Sequence, residues 1–409
     1  MSIVKTVLQK MSSVKKPQRT FLIILLTTLM YIPGKANFRN LSRYSDLHEK
    51  TYARGFCRNF DFVQFNQLSL ADLVTNGHTW VVAIDCSFSP KSGQHTYGLD
   101  YFYNSQHSRA EKGLELSTLA LVDVDYNTAY HFSSRQTPKL DNPKETRVDW
   151  YLKHLHDDHS VLPRGIRYVV ADGYYSKTKF INGVQKLNLQ LVSKLRQDAN
   201  LRWLYHGPQK PRGRPKKYDG KIQFLRPELI TRFELADTVD GIQLYTAIVN
   251  SVHFKQDIRI VYLMKQIGDR LQTAVLFSTD TDLDALKIYS LYKARFQIEF
   301  LFRDAKQFTG LSDCQARSQA ALHFHFNASM TALNLLKLED RHRTQGTHRS
   351  VISIASWKVR KFNEHLLERF SSILGLDFSL IKANAAFKTL QLRGSPHEKP
   401  LLRIKFYDQ

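Results

Sequence analysis

The spacing of apolar positions changes several times along the chain, and each change marks an element. Residues 1–19 are basic and polar and predict a loosely ordered lead-in. From Phe21 to about Phe62 the spacing is helical, with a break at Pro33-Gly34. Thr79-Trp80-Val81-Val82-Ala83-Ile84-Asp85 is β-branched and aromatic, the texture of a buried strand that ends in a carboxylate. Leu114–Val124 and Thr128–Ser133 predict two more strands, joined by a turn at Asp125-Tyr126-Asn127. A helix from Pro143 to about Asp157 is expected next, opened by Asp141 and Asn142 with the proline in its first turn. Ile166–Ala171 reads as a short strand closing on Asp172-Gly173, followed by a helix over Ser176–Leu187 and a strand over Leu189–Lys194. Three strands of hairpin type followed by alternating helices and strands predict an α/β fold with a mixed sheet flanked by helices.

Between about Asp198 and Thr279 the pattern turns to strands again, at Leu229–Leu235, Ile242–Val249, Ile258–Met264 and Thr273–Phe277, which predicts a β-rich insertion. Beyond Thr281 the chain reads as helical: one long helix to about Phe308, a second over Gln319–Leu338 and a third over Ile352–Phe370. Five regions result. They are a helical region 1–75, a first core segment 76–197, the insertion 198–279, a second core segment 280–340 and a C-terminal helical region 341–409.

Charge changes the picture. Fifty-nine Lys and Arg against 37 Asp and Glu leave a net charge of +22, and a surplus of that size calls for a polyanionic partner. Nucleic acid fits, since each neutralised phosphate releases counterions. In the small N-terminal helical region, of helix-turn-helix type or similar, Lys50, Arg54 and Arg58 are available for phosphates. Three separated cysteines, Cys57, Cys86 and Cys314, make neither a disulfide framework nor a zinc cluster and point to a reducing compartment. Phe21–Ile32 with its basic flank and Gly34-Lys35-Ala36 mimics a secretory signal. Twelve residues are too few to span a bilayer, which takes about twenty, and the segment reads better as a buried helix.

An Asp at a strand end often only caps a turn, so Asp85 and Asp172 alone say little. The helix that carries Glu299 says more. Tyr292, Arg295, Glu299 and Lys306 fall within an arc of roughly 60° at about 100° per residue. Leu291, Ile298 and Phe302 flank this stripe on one side, and Phe296 and Phe300 on the other. Lys293, Gln297 and Asp304 take the solvated face. A charge stripe on a helix is usually plain solvent-facing surface, but apolar flanks on both sides argue for a cleft.

These residues resemble the bacterial insertion-sequence-four family of DDE transposases, whose hallmark Tyr-x2-Arg-x3-Glu-x6-Lys is reproduced by Tyr292, Arg295, Glu299 and Lys306. Asp172-Gly173-Tyr174-Tyr175 and Ile84-Asp85 match its two aspartate motifs, and the likeness runs from about Phe21 to Leu338. The resemblance implies a ribonuclease-H-like core in which Asp85, Asp172 and Glu299 hold two Mg²⁺ ions, with Mn²⁺ as a substitute. Asp85 would bridge the ions, with Asp172 on one and Glu299 on the other. Three carboxylates with open positions suit Mg²⁺ better than zinc, and two ions about 3.5–4 Å apart can serve both ends of a phosphoryl displacement. The implied reaction is cleavage of double-stranded DNA at the terminal repeats of an insertion sequence, then attack of the freed 3′ hydroxyl on target DNA. A homodimer would synapse the two ends, in the bacterial cytoplasm on the nucleoid and with no membrane involved.

In the same resemblance Arg295 and Lys306 hold DNA phosphates and Tyr292 orients a phosphate or base, roles that suit a planar guanidinium fork and a point charge. Pro211-Arg212-Gly213-Arg214-Pro215 resembles an AT-hook core, with Arg212 and Arg214 entering an A·T minor groove; a basic loop that only touches phosphates is the plainer alternative. His323 and His325, two apart on a helix, read as core or surface residues, not a metal pair. The competing functions are a metal-dependent nuclease that does not join strands, a DNA-binding relative that has lost catalysis, and a secreted basic protein.

Overall fold

The computed structural model describes residues 3–74, 77–140, 142–224, 231–344 and 352–396. Five helices open the chain: α1 (Ile3–Lys10), α2 (Lys16–Tyr31), α3 (Phe38–Arg43), α4 (Glu49–Phe56) and α5 (Phe62–Val74). The loosely ordered lead-in expected over residues 1–19 is not found. Val4, Val7, Leu8 and Met11 recur at helical spacing and are all buried, so this segment folds as α1 and the turn after it. The signal-like run lies within α2, where Leu22, Leu25 and Leu26 are wholly buried. Each such side chain contributes about 1.5–3 kcal/mol by leaving water. No helix among the described residues is long and apolar enough to cross a membrane.

The sheet begins with β1 (Trp80–Pro90), β2 (Asp100–Asn104), β3 (Arg109–Asp123) and β4 (Thr128–Gln136), then α6 (Arg147–His159), β5 (Tyr168–Val170), α7 (Thr178–Lys186) and β6 (Gln190–Leu195). Strands β4, β3, β1, β5 and β6 lie side by side in that order. The pairs β4–β3 and β3–β1 are antiparallel, whereas β1–β5 and β5–β6 are parallel. This is the mixed, ribonuclease-H-like sheet flanked by helices that the sequence led us to expect. The hydrophobic pattern left β2 unread, because DYFYN is short and has polar residues at both ends. Helix α6 starts four residues later than the expected Pro143. A capping box of Thr146 and Asp149 fixes its start, while the Asn142 side chain accepts the Lys144 N–H in a turn. Asp141, expected to open that helix, lies outside the described residues.

The chain continues through β7 (Leu201–Leu204), β8 (Tyr218–Lys221), β9 (Glu234–Val239), β10 (Ile242–Ser251), β11 (Gln256–Ile267) and β12 (Arg270–Ser278). The strand expected over Leu229–Leu235 is displaced to β9, and residues 225–230 lie outside those described. These strands extend the same sheet. β12 pairs with β6, and β11, β10, β7 and β8 follow outward. Then come α8 (Ala285–Arg295), α9 (Gln297–Asp304), a π turn at Ala305–Thr309, α10 (Gln319–Thr344), α11 (Ile354–Ile373), α12 (Phe378–Ala383) and α13 (Ala385–Leu392). The single long helix expected up to Phe308 is therefore interrupted at Phe296 and widened after Asp304.

Two apolar cores cover the faces of the sheet. Val81 and Ala83 of β1 with Leu114 and Leu116 of β3 face the core shared with α2, α8, α9 and α10. Val82 and Ile84 face the core shared with α6 and α7. Helix α10 also closes the β4 edge through polar side chains. Asn334 accepts from His131 N (2.8 Å) and donates to His131 O (2.6 Å). Asn327 does the same at Ser134 (3.1 and 3.0 Å), and Lys337 Nζ donates to Ala129 O (2.7 Å). These side chains stand where a neighbouring strand would be, and they satisfy backbone groups that burial would otherwise orphan.

Candidate active site

Asp85 lies within β1 opposite Thr118 of β3, on the face that meets α9. Strands β1 and β5 run parallel with Val82 beside Val169 and Ala83 beside Val170. Asp172 follows two residues after the end of β5, close enough to Asp85 for its charge to act on that carboxyl. Asp172 is held there by the turn it caps: its Oδ1 accepts the Tyr174 N–H (2.9 Å), and its carbonyl accepts from the Ser193 hydroxyl (2.8 Å). Glu299 projects from the first turn of α9 and is half exposed.

Arg295 joins the two sides. Its side chain is only 6% exposed; Nη1 lies 3.5 Å from Asp85 Oδ2 and Nη2 lies 2.9 Å from Glu299 Oε1. Burial in the first place, then the charge of Asp172, pushes the Asp85 carboxyl up to about 7. The Cys86 N–H and Arg295 act the other way, and Glu299 adds to the rise. Burial lowers the Arg295 pKa, but Tyr292, Asp85 and Glu299 outweigh it, so the guanidinium stays firmly charged. Its carbon sits 5.5 Å from the Tyr292 ring centre and 4.5 Å from that of Phe296.

Lys306 belongs to the π turn, a distortion that recurs at functional sites. Its Nζ donates to Phe88 O (2.9 Å), three residues beyond Asp85 on β1, and burial lowers its pKa. So the fold brings Asp85, Asp172, Tyr292, Arg295, Glu299 and Lys306 to one place. Arg212 and Arg214 are elsewhere, exposed in the link between β7 and β8. The flanks of the helix stripe also differ from expectation. Leu291, Ile298 and Phe302 are buried, but Phe296 and Phe300 are each 44% exposed. The interruption at Phe296 turns that side of the helix outward, and Arg295 and Arg303 lie against the two rings.

The layer behind the carboxylates escaped the sequence reading. Tyr151 OH donates to Glu115 Oε1 (2.5 Å), and Cys86 Sγ lies 3.4 Å from Tyr175 OH. Burial raises both tyrosine pKa values, so these hydroxyls stay protonated. The paired tyrosines after Asp172 were the only local hint. His325, read as core or surface, is buried with Nε2 2.9 Å from Gly310 O.

Among the described residues, one group of three His, Cys, Asp or Glu brings its ligand atoms within 4.8 Å of each other: His78, Asp123 and Asp125. It sits at the β3–β4 turn, where Asp123 accepts from Tyr126 N and Asp125 from Thr79 N. Asp85, Asp172 and Glu299 are not drawn that tight. Their donor set nevertheless fits a hard divalent cation: only oxygens, a clustered negative charge that lifts one carboxyl pKa, and a guanidinium holding two of the three.

A mixed sheet flanked by helices, with one acid on β1, a second just past β5 and a third on a covering helix, is an architecture of ribonuclease-H-like type. Residues 77–335 match the family described as "Transposase DDE domain", and the chain belongs to that family, the DNA transposases that cleave and transfer strands with metal ions. No curated protein matches the chain. Among solved structures, piggyBac transposase in its synaptic complex with hairpin DNA, determined by cryo-EM, is similar with a TM-score of 0.43. Its identity is 11%, over 94% of this chain and 80% of that one.

Proposed function

We propose that Asp85, Asp172 and Glu299 are the catalytic, metal-holding carboxylates of this transposase. The observation that carries the reading is Arg295, a buried cation held between Asp85 and Glu299 from two separate elements. Two Mg²⁺ ions, or Mn²⁺ in their place, would supply charge neutralisation at the phosphorus and a more acidic attacking water or hydroxyl. The rest of the work falls to the chain. Asp85 stands on β1 and Asp172 caps the turn just past the end of the neighbouring β5, so both are carried by a sheet buried on both faces. Glu299 completes the set from α9, which begins just after the interruption at Phe296. Arg295 offers a fork that matches a phosphate bidentately, Lys306 a point charge beyond it, and Tyr292 a ring and hydroxyl beside the guanidinium.

The Tyr-Arg-Glu-Lys spacing supports placement in the insertion-sequence-four group, with double-stranded terminal repeats and target DNA as substrates and a homodimer as the synaptic unit. A cytoplasmic setting on the nucleoid follows from that substrate. The five regions bounded at about 75, 197, 279 and 340 are proposed as working units, with the exposed Arg212 and Arg214 as DNA contacts of the third. The test is Mg²⁺-dependent nicking of supercoiled plasmid by wild type and Glu299→Gln, with a Mg²⁺ thermal-shift titration alongside. The variant is expected to bind DNA, lose cutting and lose most of the Mg²⁺-induced stabilisation. Undiminished cutting by the variant would remove Glu299 from the site.

A further inference from the structure

We propose that Tyr101 and Tyr103 of β2 form a stacking platform for unpaired DNA bases, on the same sheet face as Asp85 and some six to eight nucleotides from it. The proposal rests on the DNA-transposase reading for its ligand. Strand alternation puts Tyr101 and Tyr103 outward, 62% and 60% exposed, with Phe102 wholly buried between them. Tyrosines on strands usually pack across to a neighbour. Here Tyr101 faces Lys112 and Tyr103 faces Ala110, which is too small to cover a ring. Both rings are therefore open to solvent.

The face is the one that carries the carboxylates. Lys112 shares its side of β3 with Leu114, Leu116 and Thr118, and Thr118 lies opposite Asp85. From Thr118 to Lys112 is six residues, about 20 Å of strand, and Ala110 lies about 27 Å away. At about 3.4 Å per nucleotide, the rise of a stacked, duplex-like strand, these distances correspond to six to eight steps of a strand held at Asp85. The tyrosines themselves are about 7 Å apart along β2, twice the step between stacked bases. Exposed aromatics on a flat sheet are how sheet-based binders take up two or three bases without reading sequence.

Charge and rigidity agree. Glu111 is tied to Asn104 (2.7 Å), His107 (2.9 Å) and Arg109 (2.8 Å), and Asp100 lies 3.9 Å from Arg147. Among the described residues Lys112 has no carboxylate partner, so a cation is left free beside Tyr101 for a phosphate. Arg147 braces the strand from behind, donating to Tyr101 O (2.7 Å) with its guanidinium 4.4 Å over the Phe102 ring. Such a surface pays little ordering entropy on binding.

The experiment compares the full-length wild type with Tyr101→Ala/Tyr103→Ala and Tyr101→Phe/Tyr103→Phe. The probes are fluorescein-labelled dT20, a random duplex of equal length, and dT20 carrying single 2-aminopurines. The alanine pair is expected to lose at least tenfold affinity for dT20, stay within twofold on duplex, and lose the 2-aminopurine quenching. The phenylalanine pair should behave as wild type. Three results would overturn the platform: unchanged dT20 binding by the alanine pair, an equal loss on duplex, or an equal loss in the phenylalanine pair. Photocrosslinking of wild type to 5-iodouracil DNA gives an answer without variants. Adducts at Tyr101 or Tyr103 are expected, and adducts only elsewhere would overturn the idea. A wild type that shows quenching but no Mg²⁺-dependent nicking would sink the carboxylate reading and leave the platform standing.

Discussion

The two ends of the sheet are built on opposite plans. At the β4 end, α10 lays Asn327, Asn334 and Lys337 onto the strand's own N–H and C=O groups, and the edge is buried. At the other end β9 is mostly exposed along its length, and the link between β7 and β8 carries Arg212 and Arg214 into solvent. The sealed end holds Asp85 and Asp172 in fixed geometry. The open end offers exposed cations in the link between two strands. In the function proposed above, chemistry that tolerates errors of only about half an ångström sits on the first, and contact with a long polyanion on the second.

The largest effects should come from the carboxylates. Asp85→Asn or Glu299→Gln is expected to lower strand cleavage by at least about a thousandfold with DNA affinity within a few-fold, read on supercoiled plasmid and by gel shift. If Arg212→Ala/Arg214→Ala lost as much cleavage, the division between the two ends would fail. Next comes the seal. Asn334→Ala strips partners from both His131 N and His131 O, and each orphaned group costs about 1–3 kcal/mol. A clearly lower urea midpoint with an unchanged slope is expected, whereas an unaltered midpoint would mean that the edge needs no sealing.

A pH effect should follow from the same edge. Burial, reinforced by His154 and His323, holds the His131 pKa down at about 3, against 6.5 when exposed. Between those values the unfolded chain binds a proton and the folded one does not. Stability from this group is therefore full above about 6.5 and falls as pH drops toward 3, by at most about 1.4 kcal/mol per pH unit. Denaturation of wild type and His131→Asn between pH 7 and pH 4.5 checks the sign, and parallel curves would contradict it. The smallest effect is expected at the open end. Arg212→Ala/Arg214→Ala should weaken DNA binding a few-fold and flatten the logarithmic salt dependence by about 1.8 if both contact phosphates.

Much of this was legible in the sequence because the signals are local. Asp85 and Asp172 close runs of β-branched residues, and the Tyr292–Lys306 spacing survives as a cluster despite a broken helix. The break itself was not legible. Nothing in residues 293–299 lacks helical propensity, and the turn at Phe296 is set by tertiary packing of Ala294, Arg295 and Ile298 on one side with open space on the other. Strand β2 was hidden because its partner, the start of β3, is polar. Continuity of the sheet from β6 to β12 was hidden for another reason. Pairing between strands some eighty residues apart leaves no trace in either strand alone.

That pairing has a consequence for how such a protein can diversify. The excursion departs from Leu195 and comes back at Val275, and these two residues lie directly across from one another. Its exit and its return are neighbours in space, so its length is uncoupled from the distance between the second aspartate and the glutamate. Segments of very different size could be spliced between those two points while the acids keep their places, much as a drawer can be exchanged without moving the cabinet's frame.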